Sequence, residues 1–116
     1  MGADVQSAME RYTGAAEVNS SASFAGDAAR SNAAYDEMIE ALHELDRLAN
    51  GDRSPLLSLL SHRSEGVRLA AATHLLKTHT KEAVRCLKRL ASGKGMVAFE
   101  AQITLSEWKA GRLDVP

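Results

Sequence analysis

The sequence predicts an all-α fold: a right-handed stack of antiparallel helical hairpins, about six helices in all. Three observations point there. Alanine is abundant, β-branched residues are few, and proline occurs only at Pro55 and Pro116; such a composition favours helix. The stretch 61–80, SHRSEGVRLAAATHLLKTHT, is an amphipathic helix with both ends marked. Its apolar skeleton returns 30 residues later, where Leu57, Leu60, Val67, Ala71 and Leu75 fall on Leu87, Leu90, Val97, Ala101 and Leu105. Two stacked helical hairpins give such an echo. Two ordinary core helix pairs without common ancestry remain the alternative.

Taken in order, the first helix is expected over 4–18, with Val5, Ala8, Met9, Tyr12, Ala15 and Ala16 as its apolar stripe. Gly14 inside it costs about 1 kcal/mol relative to Ala. The segment 19–27, NSSASFAGD, reads as a small, polar breaker with Phe24 as its one large apolar anchor. Asp27 then caps a second helix running to about Ala49, striped by Ala34, Tyr35, Met38, Ile39, Leu42, Leu45 and Leu48. Asn50-Gly51 stops it. Residues 1–50 are expected to cap two stacked hairpins over 54–111, within a single domain of 1–116.

Ser54-Pro55 opens a short helix holding Leu56, Leu57, Leu59 and Leu60, with Pro at the first helical position. Ser64 caps the next, whose inward residues are Val67, Ala70, Ala71 and Leu75. Its Ala70–Ala72 run leaves so little bulk that a neighbour can approach closely. Lys77 and His79 are expected at its negative dipole end, and Thr80 as the cap of the following helix. That helix covers 81–91, with Ala83, Val84, Leu87, Leu90 and Ala91 inward. Gly93-Lys94-Gly95 turns the chain into a last helix over 96–110, with Val97, Ala101, Leu105 and Trp108 inward and Gly111 at its end. The tail 113–116 is expected to be loose unless Leu113 docks.

The segment LLSLLSHRSEGVRLAAATHLL (56–76) resembles a HEAT-type helical repeat, whose second helix commonly opens with Asp-x-x-Val-Arg. Residues 27–111 together resemble a small bacterial family of uncharacterised HEAT-like domains, which ends in a Gly-rich turn and an Ala-rich helix as 93–111 does. Two positions depart from the repeat. Ser64 stands where Asp is usual, and Ala98 stands at the second copy's Arg position. Ser keeps the cap, but an Asp–Arg ladder between repeats is lost. The resemblance implies a HEAT-like α-α superhelix acting as a scaffold, and no reaction.

Charge is unevenly spread. The net charge is −1. Residues 1–57 hold 4 Lys/Arg against 10 Asp/Glu, a net −6, and residues 58–116 hold 10 against 5, a net +5. The single cysteine, Cys86, rules out a disulfide within the chain and suits a reducing cytoplasm. No apolar run reaches the roughly 18 residues of a membrane span. Asp4 and Glu10 near the start, without an apolar segment, argue against a signal peptide.

No constellation points to catalysis. His43, His62, His74 and His79 have no ligand spacing; His74 and His79 are five apart, about 140° around a helix. They are expected at the surface or in caps, and no metal or cofactor is expected. Cys86 sits among leucines in a helix interior and reads as a small buried hydrophobe. A reactive thiolate would need Arg85 and Arg89 beside an exposed sulfur. Nucleotide-binding and hydrolase motifs do not occur.

Two charged faces remain. Asp36, Glu40 and Glu44 recur every four residues with Glu37 adjacent. This acidic face is a solvated surface, a docking site for a basic protein partner, or a match for the chain's own basic half. Lys81, Arg85, Lys88 and Arg89 line the helix over 81–91, with Lys77 before it and Lys94 after it, a basic face that is a candidate for phosphate contacts with nucleic acid. No aromatic residue interleaves with them. The leading expectation is a non-enzymatic protein-binding module, an adaptor or toxin-neutralising partner. Nucleic-acid binding is the alternative, no membrane is expected, and homo-oligomerisation is left open.

Overall fold

The computed structural model describes residues 2–116, and no strand occurs among them. The elements are α1 (Gly2–Phe24), α2 (Ala28–Leu48), a 3-10 helix (Ser54–Ser61), α3 (Glu65–His74), α4 (Thr80–Ala91) and α5 (Met96–Lys109). They fall into two compact units, one ending at Leu56 and the other spanning Leu57–Pro116.

The first unit is the α1–α2 pair. Its helices run antiparallel, because partners move down one helix as they move up the other: Asn19 bonds Ser31, and Arg11 meets Glu37 and Glu40. Ala8, Tyr12, Ala15 and Ala16 are buried as the stripe predicts, facing Ala34, Met38, Ala41, Leu42 and Leu45. Most of the expected breaker at 19–27 is instead the last part of α1, which runs to Phe24, and only residues 25–27 form the turn. Its polar residues are satisfied in place. Asn19 donates through Nδ2 to the Ser31 carbonyl (2.9 Å) and to Ser31 Oγ (3.1 Å), and the Ser23 and Ser31 hydroxyls lie 2.6 Å apart. Small side chains let the two backbones meet here, and Ala22 is fully buried between these bonds. Phe24, the expected anchor, is 80% exposed. The turn closes with Asp27 capping α2, its carboxylate accepting from Arg30 N at 3.1 Å.

Asn50 (φ 53°) and Gly51 (φ 79°) both enter the left-handed region and end α2, as Asn-Gly permits. The chain then doubles back so that Arg53, 8% exposed, donates to Asp46 through two nitrogens, at 3.0 and 2.8 Å. This bidentate pair ties the turn to the helix it has just left. Tyr12 lies in the core of the same unit, 1% exposed, and burial pushes its phenol far above the ordinary tyrosine range against a smaller opposing pull from Arg53. A group whose folded pKa is raised contributes stability that is present below its unfolded value, about 10, and lost as pH rises past it. In an alkaline titration, phenolate absorbance from Tyr12 is therefore expected only together with loss of helical circular dichroism. Ionisation of both tyrosines before any loss of helix would contradict its burial.

In the second unit α3 packs on α4 and α5, and α4 on α5. The 3-10 helix buries Leu56 and Leu59, whereas the expected Leu57 and Leu60 are only half-buried. Each pair is three apart and so shares one side of a three-residue turn, and the side carrying Leu56 and Leu59 is the one that faces inward. Ser64 caps α3, its Oγ accepting from Val67 N at 3.4 Å. The helix is shorter than predicted. It ends at His74, and Leu75 and Leu76 are fully buried just past its end. Lys77 and His79 thus lie beyond the last turn. His79, not Thr80, is the N-cap of α4; Thr80 is its first residue and donates to the Leu76 carbonyl at 2.6 Å.

α4 is sharply two-faced, with Ala83, Cys86, Leu87 and Leu90 buried and its charged residues exposed. Gly95, at φ 95°, makes the turn into α5, where a side chain would be strained. Gln102 Nε2 then donates to the Ala91 carbonyl at 3.0 Å, fastening α5 to the end of α4. In the tail it is Val115, 6% exposed, that is buried, while Leu113 is half-exposed.

Candidate interaction surfaces

The four carboxylates of the acidic face all lie on α2. Asp36, Glu37 and Glu40 are exposed and Glu44 is half-exposed. Three of the four have partners within their own unit. Arg11 of α1 approaches Glu37 at 4.0 Å and Glu40 at 3.5 Å, and Arg47 is bonded to Glu44 one turn away. The Arg47 hydrogen bond holds the Glu44 carboxyl below its ordinary value. Beside this face runs an open groove of about 510 Å³ along the α1–α2 pair. Gly14, Ala15, Val18, Ala33 and Ala34 form its floor, and Glu10, Arg11, Arg30 and Glu37 stand along it. The groove is open at Gly14, where a Cβ would meet nothing within 4 Å.

The basic face differs. Lys77, Lys81, Arg85, Lys88, Arg89 and Lys94 are all exposed. Among the described residues none of the six makes an ion pair within 4.0 Å. Lys81, Arg85, Lys88 and Arg89 lie on α4, Lys77 in the turn before it and Lys94 in the turn after it. Lys88 and Arg89 occupy the last turn of α4, where the helix dipole favours positive charge.

No group of three or more His, Cys, Asp or Glu could hold a metal ion among the described residues. His43 is exposed; His62 is half-buried and accepts through Nδ1 from Ser64 N at 3.0 Å. His79 contacts the Thr78 hydroxyl at 3.0 Å. The expectation of surface or capping histidines fails for His74, which is 3% exposed. It follows Val67 and Ala71 around the inner face of α3, so it is part of the core. Cys86 is buried, as its leucine neighbours predict. Burial pushes its thiol up, against smaller opposing effects of Arg68 and Arg89.

Sequence reasoning missed one feature. Leu60, Glu65, Arg68, Cys86, Arg89 and Leu90 converge on a small cavity in the second unit. Arg68 and Arg89 are 21 positions apart and on different helices. Only the tertiary fold joins them, although the Val67-Arg68 pair was the visible trace of one.

Phe99 and Ile103 are two further surface residues, 62% and 48% exposed. Four apart, they share one face of α5. No helix among the described residues is long and apolar enough to cross a membrane.

These features describe an all-helical chain with charged and grooved surfaces. Over residues 12–108 the chain matches the family described as "Domain of unknown function (DUF2019)", and it belongs to that family. No curated protein and no solved structure matches it.

Proposed function

We propose that the chain is a non-enzymatic protein-binding module of the HEAT-like helical-repeat type, acting in the cytoplasm as an adaptor or toxin-neutralising partner. The observation that carries this is the α1–α2 groove. Its floor of Gly14, Ala15, Ala33 and Ala34 offers close approach to a partner's backbone, as helix-in-groove recognition needs. The acidic side, Glu37 with Asp36 and Glu40 on the same helix, selects a partner of basic character. The test is Glu37→Lys with Glu40→Lys. Exposed ion pairs of this kind are worth about 0–1 kcal/mol, so the fold should persist with only a small stability loss. Association with the native partner should slow markedly, because complementary charge steers encounter. An unchanged association rate would remove the acidic side from recognition.

A second reading is nucleic-acid binding through α4. It is favoured by the six exposed cations that have no ion-pair partner within 4.0 Å among the described residues. Measurable RNA or DNA affinity that falls steeply with salt, and is lost in Arg85→Glu with Arg89→Glu, would support it over the first.

A further inference from the structure

Four features of the second unit come together at the cavity between the start of α3 and the end of α4. The first is size. The space is about 90 Å³, lined by Leu60, Glu65, Arg68, Cys86, Arg89 and Leu90. Water occupies about 30 Å³ per molecule in the liquid, so the cavity has room for about three waters or one small polyatomic ion. It adjoins a shallower groove of about 290 Å³ that shares Leu60, Cys86 and Arg89 and adds Arg85 and Glu82.

The second feature is an unmet donor. Arg68 Nε is buried and has no hydrogen-bond partner among the described residues. Buried polar groups are almost always paired, and each exception calls for an explanation. The third is charge. Arg68 and Arg89 both line the cavity, and neither makes an ion pair within 4.0 Å among the described residues. Water in the cavity would leave the charges of the two guanidinium groups that line it without compensation. An oxyanion answers that need, since a guanidinium presents paired N–H donors that match two oxygens.

The fourth feature is the wall. Cys86 Sγ lies 3.9 Å from the Leu60 and Arg68 carbonyls, to which it is placed to donate weakly. Burial keeps that thiol protonated, so it brings no competing negative charge. Glu65 is the one opposing group. Its carboxylate lines the cavity without pairing to either arginine within 4.0 Å.

We propose that Arg68 and Arg89 form a binding site for one small oxyanion of the phosphate class, with Glu65 limiting its affinity. This goes beyond the proposed partner groove, which lies on α1 and α2 and uses none of these residues. The anion is either free phosphate or a phosphoryl group carried on another chain, whose flanking residues the adjoining groove would take.

The test is an NMR titration of the full chain with inorganic phosphate, following the arginine Nε–H signals. Sodium chloride at matched ionic strength is the control. The Arg68 Nε–H signal should move saturably with phosphate and not with chloride. Arg89→Gln removes an exposed side chain and should fold normally; it should weaken phosphate binding by about tenfold or more, as loss of a charged hydrogen bond does. Glu65→Gln should tighten binding, which a merely structural role for these residues would not produce. A parallel titration with a short phosphoserine peptide separates the sources: tighter binding than inorganic phosphate identifies a carried phosphoryl group, and equal or weaker binding a free ion. A shift that fails to saturate, a shift that chloride reproduces, or unchanged affinity in Arg89→Gln would overturn the site.

Discussion

Leu75→Ala is expected to lower the stability of the second unit by about 2–5 kcal/mol, the range for deleting a buried leucine side chain. Leu75 is fully buried immediately after α3, where its backbone N–H also closes the helix by bonding the Ala71 carbonyl at 3.0 Å. The side chain therefore fills core while the main chain ends the helix. Truncation keeps the second role and abolishes the first, leaving a cavity in a core that also holds the fully buried Val67, Ala71 and Leu76. Glu65→Ala is the matched control. Glu65 is exposed in the first turn of α3, and its loss should cost under about 1 kcal/mol through the helix dipole alone. Urea denaturation of the two variants measures the difference. Equal losses would mean that the inward face of α3 is wrongly assigned.

The second large effect is expected at Asp46→Asn. Asp46 receives both nitrogens of Arg53, and the side chains of the pair are 27% and 10% exposed. Removing one member of a buried pair costs about 3–5 kcal/mol, because the other charge is left without compensation. Asp46 retains some contact with water, which screens part of this, so about 2–3 kcal/mol is expected. Arg53→Met keeps most of the aliphatic volume and leaves Asp46, the more exposed member, which water can solvate, so it should cost less than Asp46→Asn. Thermal or urea unfolding of both variants tests the order. If Asp46→Asn proved neutral, the turn after α2 would owe little to this pair.

The helices were legible where side-chain chemistry is local. Asp27, Ser64 and Asn50-Gly51 mark ends that the structure places at those residues. Legibility failed where a partner decides the outcome. The serines and Asn19 at the end of α1 favour turns when read alone, yet Ser31 on α2 supplies the bonds that keep them helical. Leu57 and Leu60 were expected inside because they open the 30-residue echo, yet the 3-10 helix turns its Leu56–Leu59 side inward. His74 was placed at the surface because its residue type usually is, although its spacing from Val67 and Ala71 put it inside. Both charged faces could be read from spacing. What could not be read is that the carboxylates are largely paired with Arg11 and Arg47 while the α4 cations are not, because pairing depends on contacts between helices and on side-chain conformation.

The charge boundary seen in the sequence coincides with the division between the compact units, since every Asp, Glu, Lys and Arg up to position 57 precedes Leu57. At its isoelectric pH, about 6.4, the protein is thus not an uncharged particle but a macro-zwitterion, strongly negative in one compact body and strongly positive in the other. Colloidal behaviour near that pH is governed by this multipole, which lets the acidic body of one molecule attract the basic body of another although the net charge predicts indifference. Salt weakens such attraction over a distance of about 8–10 Å at ordinary ionic strength. The protein should accordingly be salted in, and be most prone to transient chains of copies in dilute buffer.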